Sequence, residues 1–469
     1  MSDAIVVGSG PNGLACAAAL ASRGLAVTVI EAADRIGGGT RTSELTLPGL
    51  LHDECSAFHP MAVGSKAMTS HDLSRHGLDW LWPEIDLAHP LDDGTAAAMH
   101  RSIERTADGL GEDGSRWRRL FGRPSRGFGQ LSEDVMRPVL HVPRHPLRLA
   151  RFGVPAALPA TTLAKSFKTE RGRALFGGSA AHAFSRLDTP MSAAVGVALI
   201  CSSHAYGWPV ARGGSRAITD ALAAVVVENG GRIETGRRVG SLDELPNADA
   251  VVLDLAPRAV LALAGPRLPR RVRRAYERYR HGPGAFKLDL AVEGGIPWTA
   301  AEAHRAGSVH LGGTMAEIAA AERDANRGRM PEHPFVLVGQ QYLADPSRSA
   351  GDKHPVWAYA HVPHGFDGDA TEAILTQIER FAPGARERIL AVHRASPAAI
   401  EAANPNLLGG DIITGANTPV QTLIRPRLAR DPYRTGVPGV WICSAATPPG
   451  AGAHGMNGWN AAMSVLGAL

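Results

Sequence analysis

The segment Gly8-Ser9-Gly10-Pro11-Asn12-Gly13 follows the apolar run Ala4-Ile5-Val6-Val7 and opens an alanine-rich stretch that ends at Gly24. A second apolar run, Ala26-Val27-Thr28-Val29-Ile30, closes on Glu31. Strand, glycine turn, helix, strand and acid follow one another within about thirty residues, the unit that takes the ADP half of a dinucleotide. In such a unit Gly8 permits the tight turn and Gly10 lets backbone N–H groups approach a pyrophosphate. Gly13 lets the helix pack close to the strand. Pro11 and Asn12 lie in the same turn and count with the glycines as cofactor contacts. The helix N-terminus offers partial positive charge to the phosphates, and Glu31 is placed to accept from the adenosine ribose.

The next segment, Glu31-Ala32-Ala33-Asp34-Arg35-Ile36-Gly37-Gly38-Gly39-Thr40-Arg41-Thr42, resembles the FAD signature of amine oxidases and phytoene desaturases. The resemblance implies that Gly37, Gly38, Gly39 and Thr40 pass close to the pyrophosphate. It also implies that Arg35 or Arg41 gives it charge-assisted contacts. At the far end, Val440-Trp441-Ile442 leads through Thr447-Pro448-Pro449-Gly450-Ala451-Gly452-Ala453-His454-Gly455-Met456-Asn457-Gly458 into a helical pattern. This piece resembles the C-terminal FAD motif of phytoene desaturase-like flavoproteins, most of all the branch called pyridine nucleotide-disulfide oxidoreductase domain-containing protein 2. By that resemblance Gly452, His454, Gly455, Met456 and Asn457 face the flavin, and the helix N-terminus stabilises charge on its pyrimidine ring.

The resemblance implies an α/β fold. A Rossmann-type FAD-binding domain would be interleaved with an α+β substrate domain, as in amine oxidases and phytoene desaturases. Residues 1–60, 206–265 and 405–469 are expected to form the FAD domain, with a backbone contact near Val239 to the adenine. Residues 61–205, expected to be mostly helical, and 266–404 would form the substrate domain. Ala174 to Ile200 reads as helical, and Ala217 to Asn229 as a helix before a Gly-Gly turn. Ala285 to Val292, Val309 to Gly312, Phe335 to Gln340 and Val356 to Val362 read as strands.

Bulk properties narrow the function. A length of 469 residues calls for about two domains. A formal charge of +4, with no basic block interleaved with aromatics, gives no nucleic-acid signal. Four scattered cysteines form no C-x-x-C pair, which disfavours a dithiol centre and fits a reducing cytoplasm. Asp3 and the early glycine turn are unlike a signal peptide. No apolar run approaches the roughly twenty residues of a membrane span. Nineteen histidines show no compact ligand spacing, so no metal is expected. G-x-S-x-G is absent, which removes support for a serine hydrolase.

FAD, held non-covalently, is therefore the expected cofactor, and NAD(P)H is not an obligatory partner. Only one fingerprint is well formed, and Gly213-Gly214 lacks the strand that should precede it. The flavin accepts the hydride, so the protein positions and tunes. Lys287, in Gly284-Ala285-Phe286-Lys287-Leu288-Asp289-Leu290, resembles the amine-oxidase lysine near flavin N5, and it is the only lysine between residues 169 and 352. His454 and His59 are the other catalytic candidates. The primary reading is an FAD-dependent dehydrogenase or desaturase. It would remove hydride from a C–C or C–N bond of a mainly apolar small molecule, with dioxygen, quinone or another acceptor reoxidising the flavin. A saturase, a redox-neutral isomerase and a non-catalytic FAD scaffold are the alternatives. Residues 138–152 mix arginines with apolar residues, but three prolines between 138 and 146 break any long amphipathic helix there. At most weak, salt-sensitive membrane contact is expected.

Overall fold

The first strand, Asp3–Val7, sits at the centre of a five-stranded parallel sheet. The order across it is Val440–Ile442, Ala250–Leu253, Asp3–Val7, Ala26–Ile30, Arg232–Glu234. The computed structural model describes residues 2–469. Apolar runs without alternation suit a parallel sheet, because helices cover both of its faces. Helix Pro11–Ala21 is buried from Asn12 to Ala21. It packs between helix Arg216–Glu228 and helix Met456–Leu466. The last contact is close because Gly458 has no side chain: a Cβ there would run into the Asn12 carbonyl and come within 2.8 Å of the Cys16 nitrogen.

The second sheet has seven strands in the order Ile389–Ala395, Gly284–Glu293, Lys353–Val362, Val336–Gly339, Ala306–Leu311, Ile85–Pro90, Ala96–Met99. All neighbours are antiparallel except Ala306–Leu311 with Ile85–Pro90. One face buries Phe286, Leu288, Leu290, Val338, Ala358 and Ala360 together with Ile374, Ile378 and Phe381 of helix Thr371–Phe381. The register puts Ser308, Gly339, Trp357 and Asp289 in one row of the opposite face, and His310, Leu337, Tyr359 and Lys287 in the next. Helices between residues 103 and 206 lie against this second face around Trp117, Phe121, Phe167 and Phe176.

The strands foreseen at 285–292, 309–312, 335–340 and 356–362 coincide with sheet strands to within a few residues. Residues 61–205 are less purely helical than expected, because Ile85–Pro90 and Ala96–Met99 complete the seven-stranded sheet. The helical stretch from Ala174 to Ile200 is two helices, Glu170–Ala181 and Ala193–Tyr206. The link between them contains Phe184 and Met191 at positive φ (50° and 67°), which a helix does not permit. Residues 138–145 are irregular and helix Pro146–Ala156 follows, with Pro146 in its first turn. Among the described residues no helix is long and apolar enough to cross a membrane.

Candidate cofactor and substrate site

Three glycines of the first turn converge on one residue, Asp254, at the end of the neighbouring strand. A Cβ on Gly8 or Gly13 would lie 3.1 Å from the Asp254 Cβ, and one on Gly10 would lie 2.8 Å from its Oδ2. Gly8 also has φ +102°, a value that favours glycine. The Gly13 N–H donates to Asp254 Oδ2 at 2.9 Å. Burial pushes the Asp254 carboxyl up to about 7, with Glu31 adding to the rise and the Gly13 N–H opposing it. Glu31 ends the second strand. Its carboxylate accepts from the Ser9 N–H at 2.8 Å, the Ser9 hydroxyl at 2.6 Å and the Ala33 N–H at 2.9 Å. A carboxylate has about four acceptor positions, so one remains for a ribose hydroxyl.

A cavity of about 700 Å³ begins at this turn. Gly8, Gly10, Pro11, Asn12, Glu31, Gly38, Gly39, Thr40, Arg41 and Val239 line its first part. Gly450 to His454 form the middle of the wall. Phe184, Leu199, Trp208, Leu337, Trp357 and Tyr359 form the end under the seven-stranded sheet. The cradle fits a dinucleotide: the glycines of the turn cannot carry side chains, the first residues of helix Pro11–Ala21 line the cavity, and an acid stands at the end of the second strand.

The structure separates the two arginines. Arg41 is buried in the wall, where its guanidinium donates to the carbonyls of Arg35, Ile36 and Ala403 and lies 3.9 Å from Glu31. Arg35 is not in the wall; it is half-exposed and pairs with Glu54 and Ser43. Gly13, Gly37, Gly455, Met456 and Asn457 also stand behind the lining. Their work is support. The Met456 N–H donates to His454 Nδ1 at 3.1 Å, and the Asn457 amide donates to the Thr447 carbonyl at 2.8 Å. Because His454 Nδ1 accepts, its proton sits on Nε2.

Lys287 departs most from expectation. It lies on the correct sheet face but is absent from the wall of the large cavity. A small neighbouring void, lined by Lys287, Glu54 and Cys55, shares Trp357 and Tyr359 with the large one. Its ammonium is bound to both carboxylate oxygens of Asp289 at 2.5 Å. The imidazoles of His52 and His393 stand 3.4 and 3.3 Å from the same carboxylate. Burial works to raise the Asp289 carboxyl, but Lys287, with the two histidines, holds it well below the usual carboxylate range. The reason is electrostatic: a buried lysine needs a counter-ion, and one stands two residues along the strand.

His59 and His454 are both in the wall. Burial lowers each to about 4, so both rings are neutral near pH 7. The Ser215 hydroxyl donates to the Ser56 carbonyl, so the 2.9 Å bond between His59 and Ser215 requires a proton on His59 Nε2. His182 also lines the cavity, with Nε2 3.0 Å from His310 Nε2, and burial lowers it to about 3. Trp208, Ser308, Trp357, Tyr359 and Arg425 were missed altogether, because only the sheet register and the loop path bring them to the site. Among the described residues no group of three or more histidine, cysteine or acidic side chains is arranged to hold a metal ion.

Residues 6–69 match the family model of the NAD(P)-binding Rossmann-like domain. The chain is similar to the rat protein called pyridine nucleotide-disulfide oxidoreductase domain-containing protein 2, with 24% identity over 99% of this chain and 93% of that one. It is also similar to hydroxyneurosporene desaturase of Cereibacter sphaeroides, with 28% identity over 51% of this chain and 50% of that one. The solved structure of putrescine oxidase bound to putrescine shares the fold, with a TM-score of 0.60 at 17% identity over 99% of this chain and 97% of that one. The chain is similar to FAD-dependent oxidoreductases. In this oxidoreductase the glycine turn and the Gly450–His454 loop, four hundred and more residues apart in sequence, wall one continuous space.

Proposed function

We propose that this oxidoreductase holds FAD non-covalently and uses it to dehydrogenate a mainly apolar small molecule. The observation that carries the reading is the continuity of the cavity from the glycine turn to the apolar end under the sheet. A dinucleotide seated on Gly8 to Asn12 would reach toward Gly450 to His454, with the remaining space left to substrate. Bound there, FAD would supply a hydride acceptor. This chain's residues do the rest. Glu31 takes a ribose hydroxyl, Arg41 and the glycine loop take the pyrophosphate, and the backbone near Val239 takes the adenine. Phe184, Leu199, Leu337, Trp357 and Tyr359 orient the substrate and exclude water, which keeps the transferring hydrogen away from solvent. His59 and His182, neutral near pH 7, are the groups in the wall able to accept a proton released beside the hydride.

Among the described residues the acids in the wall are Glu31 and Asp254, both at the glycine turn. Nothing anionic stands at the apolar end to receive an alkylammonium, which supports C–C rather than polyamine oxidation.

The test is spectroscopic. The purified protein should be yellow, and acid precipitation should release all of its flavin into the supernatant. Under anaerobic conditions, apolar alkenes and alicyclic compounds should bleach the flavin band, and putrescine should not. A preparation that remains colourless after incubation with FAD, or bleaching by putrescine alone, would overturn the reading.

A further inference from the structure

Among the described residues four cationic side chains are buried: Arg41, Lys287, Arg348 and Arg425. Three have carboxylate partners. Arg41 faces Glu31, Lys287 is bound to Asp289, and Arg348 pairs with Asp53 and Asp345. Arg425 is 4% exposed and makes no ion pair among the described residues. Its Nη2 donates to Asn417 Oδ1 at 2.5 Å, and its Nε reaches the Gln421 carbonyl at 3.4 Å. Its Nη1 makes no hydrogen bond. That nitrogen lies over Gly450, where a Cβ would come within 2.8 Å of it. Arg425, Asn417 and Gly450 all line the large cavity.

A buried guanidinium with no counter-ion is costly, and an anion arriving from outside would relieve that cost. The position of Arg425 tells which anion. Asn417, which holds it, donates its own amide to the Ala183 carbonyl, in the link that carries His182 and Phe184. The guanidinium thus stands where the Gly450 loop meets the substrate end, and the acids of the wall stand at the other end. A planar fork with a free edge matches a carboxylate.

We infer that Arg425 receives the carboxylate of the substrate, so that this enzyme acts on an apolar molecule bearing an acid group. Asn417 sets the plane of the guanidinium, and the missing side chain at Gly450 leaves room for the carboxylate. The apolar body then extends along Phe184 and Leu199 toward Trp357. This inference rests on the reading that the cavity takes an apolar small molecule.

The test uses the FAD-loaded protein and three probes of equal chain length, decanoate, decanol and decylammonium. Binding is read as the perturbation of the flavin absorption band. Decanoate should bind roughly 10- to 100-fold more tightly than decanol, the range for a charge-assisted bidentate contact, and decylammonium should bind more weakly than both. Arg425→Met should bring decanoate down to the affinity of decanol with the FAD content unchanged. Arg425→Lys should retain part of the preference and serves in place of Arg425→Met if that variant loses its flavin. Equal binding of decanoate and decanol to the wild type would overturn the inference while leaving the apolar cavity in place. A preference that survives Arg425→Met would also overturn it, and with a shifted flavin potential would assign the guanidinium to the cofactor. No binding by decanoate or decanol would overturn the apolar-cavity reading itself, and this inference with it.

Discussion

Lys287 and Asp289 make the sharpest case at the scale of single residues. They lie two apart on one strand, so both point to the same face of the sheet, and there each satisfies the other. Lys287→Met would leave the Asp289 carboxylate buried with only His52 and His393 beside it. Breaking a buried pair from one side costs about 3–5 kcal/mol. The denaturation midpoint of Lys287→Met should fall accordingly, and Lys287→Met/Asp289→Leu should recover much of the loss. A variant as stable as wild type but slow in flavin reduction would return Lys287 to the chemistry. Glu31 offers the opposite experiment, since its partners Ser9, Ala33 and Arg41 line the cofactor cradle rather than a sheet core. Glu31→Ala should keep the fold and weaken FAD binding roughly 10- to 100-fold, the worth of hydrogen bonds to a charged group. A fluorescence titration of the apoprotein with FAD reads this directly, and unchanged affinity would exclude Glu31 as a cofactor contact.

At the scale of elements, legibility followed range. The glycine turn and its two flanking strands could be read from sequence because every constraint on them is local: tight turn, helix start, apolar run. Strand Ile85–Pro90 could not, since Ile-Asp-Leu-Ala-His-Pro contains an acid, a histidine and a proline. It is a strand because Ala306–Leu311 pairs along it, a contact more than two hundred residues distant. Arg425 was invisible for a similar reason. It is one of 49 basic residues, and only the fold shows that it lacks a partner. The pairing of helices Pro11–Ala21 and Met456–Leu466 stands between these cases. Each carries a recognisable motif, but their closeness depends on Gly458. Gly458→Ala would force the helices apart at Asn12. Overpacking of this kind costs about 1–3 kcal/mol. The variant should melt at lower temperature and bind less flavin, because both motifs move; a normal melting curve with full flavin would show that the crossing can relax.

At the scale of the whole molecule, buried histidines set the response to acid. His59, His89, His182, His204, His310 and His454 are all held below the ordinary histidine value, chiefly by burial. The unfolded chain takes up protons on them as pH falls below about 6.5, and the folded chain does not until near 4 or lower. Stability from this source is complete above 6.5 and is lost through that window. Asp86 and Asp254 act in the opposite sense, since burial raises both to about 7 and the folded state binds their protons first. Six groups outweigh two, so the melting temperature should decline as pH is lowered from 6.5 to 4. A melting temperature that stays level or rises over that interval would contradict the burial of these rings.

The position of strand Val440–Ile442 has a consequence for biosynthesis. It pairs with Ala250–Leu253, whose other neighbour is the first strand of the chain. Helix Met456–Leu466 then covers the helix that follows that first strand. A ribosome working at about 5–20 residues per second delivers these last pieces roughly 20 to 90 s after the glycine turn has emerged. Through that interval the turn has no lid and the apolar face of Pro11–Ala21 has no cover. The two ends of the cofactor cradle therefore meet only after residues 440–466 have emerged.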